Sequence, residues 1–243
     1  MVRFFVTSDD FGCDVVVLTG ENAAHAKVLR LKAGEQVIIC DGAANECICT
    51  ILEIAAGEVR LRVDERRISI SEANIKVSVY MAFPKADKLE HVIQKATELG
   101  AYDIVAFPSM RCVSKPDEKS LKKKLERWQK IAAAAAEQSG RGRIPEVIVL
   151  PSFEMALNRA AEADLPIMFY ENEHAATLRM ALESGSYQSV SILSGPEGGL
   201  EVSEVELAKE RGLNICTLGR RILRCETAPL CGLSAVMYAN GEF

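Results

Sequence analysis

Apolar residues recur along this chain in two patterns, and the change falls near residue 72. Before it the apolar runs are short. Residues 15–18, 36–40, 47–54 and 59–63 form such runs, parted by the turn signals Gly34-Glu35, Asp41-Gly42 and Ala56-Gly57. Val59, Leu61 and Val63 alternate with Arg60, Arg62 and Asp64, as a half-buried strand requires. One helix is expected over residues 23–31. Short strands separated by turns predict a small β-barrel over residues 1–72. Residues 69–74 are the expected linker.

Beyond the linker the runs lengthen and alternate with helical stripes. Residues 75–83 are nearly all apolar and β-branched, the composition of a strand covered on both faces. Leu89, Val92, Ile93, Ala96 and Leu99 then recur at helical spacing until Gly100. A strand is expected at 104–107. A long helix is expected over 117–138, with Leu121, Leu125, Trp128, Ile131 and Ala135 on one stripe. Further buried strands are expected at 147–150, 167–170, 190–193 and 214–218, with helical segments between them, a helix at 201–211 and a last helix at 229–238. This alternation predicts an α/β domain with a mostly parallel sheet over residues 73–243. Ligands of such sheets sit beyond the carboxyl ends of the strands.

Two loops fall at such ends. Leu193-Ser194-Gly195-Pro196-Glu197-Gly198-Gly199 holds three glycines and a proline in five residues, as a backbone that turns tightly or lies close to a ligand requires. Leu218-Gly219-Arg220-Arg221-Ile222-Leu223-Arg224-Cys225-Glu226-Thr227-Ala228 sets an apolar pair between arginines. Burial of Ile222 and Leu223 would leave the guanidinium groups facing a bound anionic ligand. Neither the dinucleotide fingerprint G-x-G-x-x-G nor the phosphate loop G-x-x-x-x-G-K-[ST] occurs, so an ordinary dinucleotide or ATP site lacks support.

A net charge of −5 argues against a protein that coats nucleic acid indiscriminately. Between Arg111 and Arg143, however, ten basic residues meet four acidic ones, which predicts a local phosphate-facing patch. No apolar run reaches the roughly 18 residues of a membrane span, and acid appears at Asp9 and Asp10, too early for a signal peptide. A cytoplasmic protein without membrane contact is expected. The eight cysteines include no Cys-x-x-Cys pair. Cys47 and Cys49 would share one face of a strand without a companion histidine, so they read as small buried hydrophobes and no metal is expected.

The ordered set of motifs resembles the RsmE family of 16S ribosomal RNA (uracil-N3)-methyltransferases, within the SPOUT class. It consists of the GPEGG and LGxRILRxETA loops, Arg3-Phe4-Phe5, Val28-Leu29-Arg30-Leu31-Lys32, Gln94-Lys95-Ala96-Thr97-Glu98-Leu99-Gly100, Arg127-Trp128-Gln129-Lys130-Ile131 and Ala136-Glu137-Gln138-Ser139-Gly140-Arg141. The resemblance covers essentially the whole chain. It implies a PUA-like RNA-binding domain at 1–72 and a SPOUT domain at 73–243 whose parallel sheet carries a deep trefoil knot. It implies a homodimer, S-adenosyl-L-methionine as cofactor, and 16S rRNA or the small ribosomal subunit as partner. The reaction the resemblance implies is methylation of N3 of uridine 1498 in the family's rRNA numbering.

Carried over to this chain, the cofactor contacts fall on Tyr170, Glu171, Leu193, Gly195, Pro196, Glu197, Gly198, Gly199, Leu218, Gly219, Ile222, Leu223, Thr227 and Ala228. N3 of uracil must lose a proton, and charge then spreads to its carbonyls, so the site needs a proton acceptor and a cation. Arg224 is the candidate cation, and Glu197 and Glu226 are the candidate acceptors. RNA contacts are expected from Arg3, His25, Arg30 and Lys32 on the small domain and from Lys85, Arg111 and Arg141 on the larger. Cys225 departs from the family's usual threonine, replacing a good hydroxyl hydrogen-bonder with a weak one. The open alternatives are another SPOUT enzyme, acting on tRNA or a ribose 2′-hydroxyl, and a non-catalytic RNA-binding factor.

Overall fold

A computed structural model describes residues 1–113 and 118–243. Lys115 and Asp117, the latter expected to start the long helix, lie outside them. The chain divides into two compact units: Met1–Glu72 with Ala136–Ile144, and Ala73–Ala135 with Pro145–Phe243. The sequence reading assigned all of 73–243 to the larger unit, whereas residues 136–144 belong with the smaller. The reason is pairing at long range: the Glu72 carboxylate accepts from the backbone N–H groups of Gly142 (2.9 Å) and Arg143 (3.1 Å).

The smaller unit is a five-stranded sheet ordered β1-β3-β4-β5-β2. Its strands are β1 (Val2–Phe5), β2 (Val15–Leu18), β3 (Gln36–Cys40), β4 (Asn45–Ala55) and β5 (Glu58–Ile68). β1 pairs parallel with β3, and the other ladders are antiparallel. Register shifts at Ile48/Cys49 and Ile51/Glu53 mark bulges in the β4–β5 ladder, which help a long hairpin coil. One face of all five strands then closes on a single core of Phe4, Val16, Leu18, Val37, Ile39, Cys47, Cys49, Ile51, Val59 and Leu61. Both Cys47 and Cys49 are inside it, as small buried hydrophobes. α1 (Ser8–Phe11) links β1 to β2, and α2 (Gly20–Val28) adds Ala23 and Ala26 to the core. α2 starts three residues before the expected helix, and Arg30 beyond it takes a left-handed turn at φ 56°.

The larger unit is a six-stranded sheet ordered β11-β9-β10-β6-β7-β8, every ladder of it parallel. The strands are β6 (Lys76–Ala82), β7 (Asp103–Phe107), β8 (Glu146–Val149), β9 (Leu165–Phe169), β10 (Ser189–Ser194) and β11 (Asn214–Cys216). The helices are α3 (Lys88–Glu98), α4 (Glu118–Ser139), α5 (Phe153–Ala160), α6 (Leu178–Leu182), α7 (Val202–Glu210) and α8 (Thr227–Ala239). Successive strand residues face opposite sides. Tyr80, Met168 and Leu193 pack with Leu157 of α5 and Val205 of α7. Phe169 and Ile192, next to them in sequence, meet α8 at Gly232, where a Cβ would run into the Phe169 ring. Cover on both faces is why these strands read as continuous apolar runs.

Candidate active site

β11, β9 and β10 end side by side at the carboxyl edge of the sheet. The segments that follow them bound a cleft of about 670 Å³, the size that takes a drug- or nucleoside-scale ligand. Tyr170 and Glu171 line it after β9, and Gly195, Pro196, Glu197, Gly198 and Gly199 after β10. Leu218, Gly219, Ile222, Leu223, Arg224 and Ala228 line it after β11. Two expected cofactor residues stand apart from this lining. Leu193 is fully buried in the core, and Thr227 opens α8 with an exposed side chain.

The glycines of the β10 loop have a steric reason. Gly199 sits at φ 70°, where a Cβ would strike the Glu171 carboxylate. At Gly195 a Cβ would stand 3.0 Å from Leu200 Cγ and 3.1 Å from the Gly199 carbonyl carbon. The loop is braced from outside by Arg111, which donates to the Gly198 carbonyl (2.9 Å) and pairs with Glu201 (2.8 Å). Arg111 was expected on RNA; its guanidinium is committed to this loop.

The β11 loop behaves differently from its sequence expectation. Ile222 is 84% exposed, not buried, and Leu223 is only half-buried. The segment runs along the open wall of the cleft, where the Ile222 side chain has no core to reach. Backbone bonds anchor it instead: the Arg224 carbonyl accepts from the N–H groups of Thr227 (2.9 Å) and Ala228 (3.0 Å) as α8 begins. Among the described residues, no hydrogen bond or ion pair engages the Arg224 guanidinium, which is exposed on the cleft.

The charge centre of the cleft is a residue that sequence reasoning missed. Lys88, in the first turn of α3, places Nζ 3.0 Å from Glu197 Oε1 and 3.1 Å from Glu226 Oε2. It also lies 3.7 Å from Cys225 Sγ. The available signal was positional: Lys88 begins the helix that follows β6, at the carboxyl edge of a parallel sheet. Burial pushes the Glu197 carboxyl up, but bonds from its own backbone N–H, from Lys88 and from the Lys85 N–H (3.0 Å) outweigh it and leave it below the usual glutamate range. Glu226 is likewise raised by burial and lowered further by its own backbone N–H, Cys225 and Lys88. The same contacts hold Lys88 protonated, well above the ordinary lysine value. The Cys225 thiol donates to Glu226 Oε2 (3.2 Å), so cysteine keeps a donor role at this position. Burial, then that bond, pushes the thiol up to about 12, so it stays protonated near neutrality.

The expected RNA contacts divide by environment. Arg3 is nearly buried and pairs with Glu46 at 2.7 Å, while Arg141 is 4% exposed and pairs with Glu72 at 2.6 Å. Both are internal cations rather than surface grips, because each meets a carboxylate far away in sequence. His25 Nδ1 lies 3.0 Å from Glu137 Oε1, and its ring stands edge-on to Phe4. Arg30, Lys32 and Lys85 are exposed. So are Lys119, Lys122, Lys123, Lys124 and Lys130 of α4, whereas Arg127 pairs with Glu90 at 2.7 Å.

Residues 71–237 match the family described as RNA methyltransferase domain, and residues 18–64 match the RNA methyltransferase PUA domain. The ribosomal RNA small subunit methyltransferase E of Bacillus subtilis is 41% identical over 91% of this chain and 89% of its own length. That of Mycobacterium bovis is 33% identical over 97% of this chain and 90% of its own. Among solved structures, the ribosomal RNA small subunit methyltransferase E of Neisseria gonorrhoeae bound to S-adenosyl methionine superposes with a TM-score of 0.84. It is 27% identical over 98% of this chain and 97% of that one.

Proposed function

Because the chain belongs to the ribosomal RNA small subunit methyltransferase E family, and is an S-adenosylmethionine-dependent rRNA methyltransferase, we propose that its target is N3 of a uridine in 16S rRNA, uridine 1498 in the family's numbering. The observation that carries this reading is the pairing of functions on one cleft. An unengaged guanidinium at Arg224 and an ionised carboxylate at Glu197 line a glycine-rich cradle, and a second ionised carboxylate, Glu226, is tied to Glu197 through Lys88. Uracil N3 needs both a proton acceptor and a cation for its carbonyls. A ribose 2′-hydroxyl needs only the first.

The cradle fits the cofactor. Gly219, at φ 106°, faces open space where a ligand can approach the backbone, and Glu171 lines the same cleft as an acceptor for ribose hydroxyls. S-adenosylmethionine, when bound there, supplies a methyl group already reactive toward nitrogen. The chain's part is to hold the flipped base, accept the N3 proton on a carboxylate and set Arg224 against the carbonyl that gains charge. Arg30, Lys32, Lys85 and His25 are the RNA contacts retained in this reading. Removing the charges of Arg30, Lys32 and Lys85 should weaken RNA binding and flatten its salt dependence without loss of cofactor affinity.

The same reading includes a knotted larger unit, a homodimer and a cytoplasmic location. Among the described residues no helix is long and apolar enough to cross a membrane. Gly232 of α8 is used against Phe169 of its own sheet, so a partner copy would meet the opposite face of that helix, at Tyr238 and Cys231. A monomeric mass by light scattering at micromolar concentration would count against the dimer. The deciding experiment for the reaction is mass-spectrometric mapping of rRNA from cells with and without the gene. A missing 3-methyluridine supports the proposal; a missing 2′-O-methyl group, or a change confined to tRNA, overturns it.

A further inference from the structure

Three elements that are far apart in sequence meet at one ammonium group. Lys88 comes from α3, Glu197 from the loop after β10, and Cys225 and Glu226 from the loop before α8. The two nitrogen–oxygen distances, 3.0 and 3.1 Å, bring a Glu197 oxygen and a Glu226 oxygen within about 6 Å of each other. Two carboxylates this close disfavour joint ionisation unless a cation stands between them. Lys88 is that cation, and no other basic side chain among the described residues bonds to either carboxylate. The remaining partners are neutral: each glutamate's own backbone N–H, the Lys85 backbone N–H on Glu197 and the Cys225 thiol on Glu226.

The placement argues against a purely structural tie. The lysine is 27% exposed and lines the cleft, and the two glutamate side chains keep 29% and 20% exposure. An isolated surface ion pair adds little stability. A cation facing a cavity with a carboxylate on either side acts on what enters the cavity.

We propose that Lys88 is a positioning residue for methyl transfer: it ties Glu197 to Glu226 across the two ligand loops and keeps both carboxylates ionised, so that one can accept the proton leaving the target base. The proton moves from N3 to a carboxylate oxygen, the N–H electron pair stays on the ring, and the ammonium neutralises the charge of the remaining carboxylate. This inference rests on the proposed N3 target for the identity of the proton. Its electrostatic core concerns the folded chain alone.

The test separates those two parts. Side-chain carboxylate titration by carbon NMR, on the full chain without cofactor or RNA, should show Glu197 and Glu226 ionising below the usual glutamate range. In Lys88→Met at least one of them should titrate higher, and in Lys88→Arg neither should. Methyl transfer by Lys88→Met, at saturating S-adenosylmethionine and rRNA, should be slowed on the order of tenfold or more at pH 6 and much less at pH 8.5, with the acid limb of its pH profile displaced upward. Lys88→Arg should restore the wild-type limb. Unmoved carboxylate titrations in Lys88→Met would overturn the inference whatever the methylated atom is. A loss equal at every pH, or a loss of S-adenosylmethionine binding by calorimetry, would also overturn it and make Lys88 a support of the loops. If the carboxylates move as expected and the mapped product is not 3-methyluridine, the N3 reading fails while the clasp stands.

Discussion

Each unit of the protein holds glutamate carboxyls below their ordinary pKa, yet the two settings differ in kind. In the smaller unit Glu46 is fully buried and accepts from Arg3 (2.7 Å), Arg67 (2.8 Å) and Ser69 (2.8 Å). Burial raises its pKa, and the bonds from Arg67, Ser69 and Arg3 more than reverse that. In the larger unit Glu197 and Glu226 share one lysine; both stay partly exposed, and Glu197 and the lysine line a cleft. Glu46 spends its acceptor capacity on the fold. The cleft pair has capacity left for a ligand. Depressed pKa alone therefore does not mark chemistry; it does so where spare lone pairs and a cavity accompany it.

The strongest way to break that distinction is Glu46→Ala. It would leave Arg3, with a side chain only 9% exposed, as a buried cation without its carboxylate. Removing one partner of a buried pair costs about 3–5 kcal/mol. Chemical denaturation followed on the smaller unit should show a loss of that order, with S-adenosylmethionine affinity unchanged in the folded protein. A loss under about 1 kcal/mol, the scale of a surface pair, would put Glu46 in the same class as the cleft glutamates.

Arg224 gives the next largest effect, on rate rather than on stability. Its guanidinium faces the cleft without a protein partner among the described residues. Arg224→Ala should slow methyl transfer by on the order of a hundredfold, about 2.7 kcal/mol, while changing S-adenosylmethionine affinity only a few-fold. Arg224→Lys should recover part of the rate, since it keeps the charge but loses the planar fork. Single-turnover kinetics decide the role. Full recovery of the alanine variant by excess RNA would mean a phosphate contact. Lost cofactor binding would mean a loop support. Because Ile222 is exposed, the Arg224 backbone is held by the bonds at the start of α8, not by burial of its neighbours.

Local pattern made much of this legible. The alternation of apolar runs and helical stripes gives the parallel sheet, and the density of glycine after β10 gives one wall of the cleft. The positions of both ligand loops follow from the strands before them. What escaped reading depends on partners distant in sequence. β1 was not read as a strand, because its pairing with β3 uses residues more than thirty positions away. Arg3 and Arg141 looked like RNA contacts, since the sequence does not show that Glu46 and Glu72 meet them. Lys88 looked like one more lysine in a helix until α3 was set against the loops of Glu197 and Glu226. The burial expected for Ile222 followed from composition, and composition does not show that its segment lies over a cavity.

The smallest predicted effect concerns acid, and it bears on the same comparison. Folding lowers the pKa of Glu46, Glu197 and Glu226 relative to the unfolded value of about 4.3. A group lowered by folding binds fewer protons in the native state. Its contribution to stability is complete above the unfolded value and is lost as pH falls through the folded one. The wild-type chain should therefore lose stability on acidification below about pH 4.3. Glu46→Gln removes one contributor and should flatten that descent, even though the variant starts from a lower melting temperature. Glu197→Gln should flatten it less. Its carboxylate is partly solvated, so solvent screens the bonds that Lys88 and the backbone supply. Melting temperatures from pH 3 to 6 at low salt measure both slopes. Equal flattening by the two variants would mean that the cleft carboxylate is as fully committed to the fold as the buried one, and the division between them would fall.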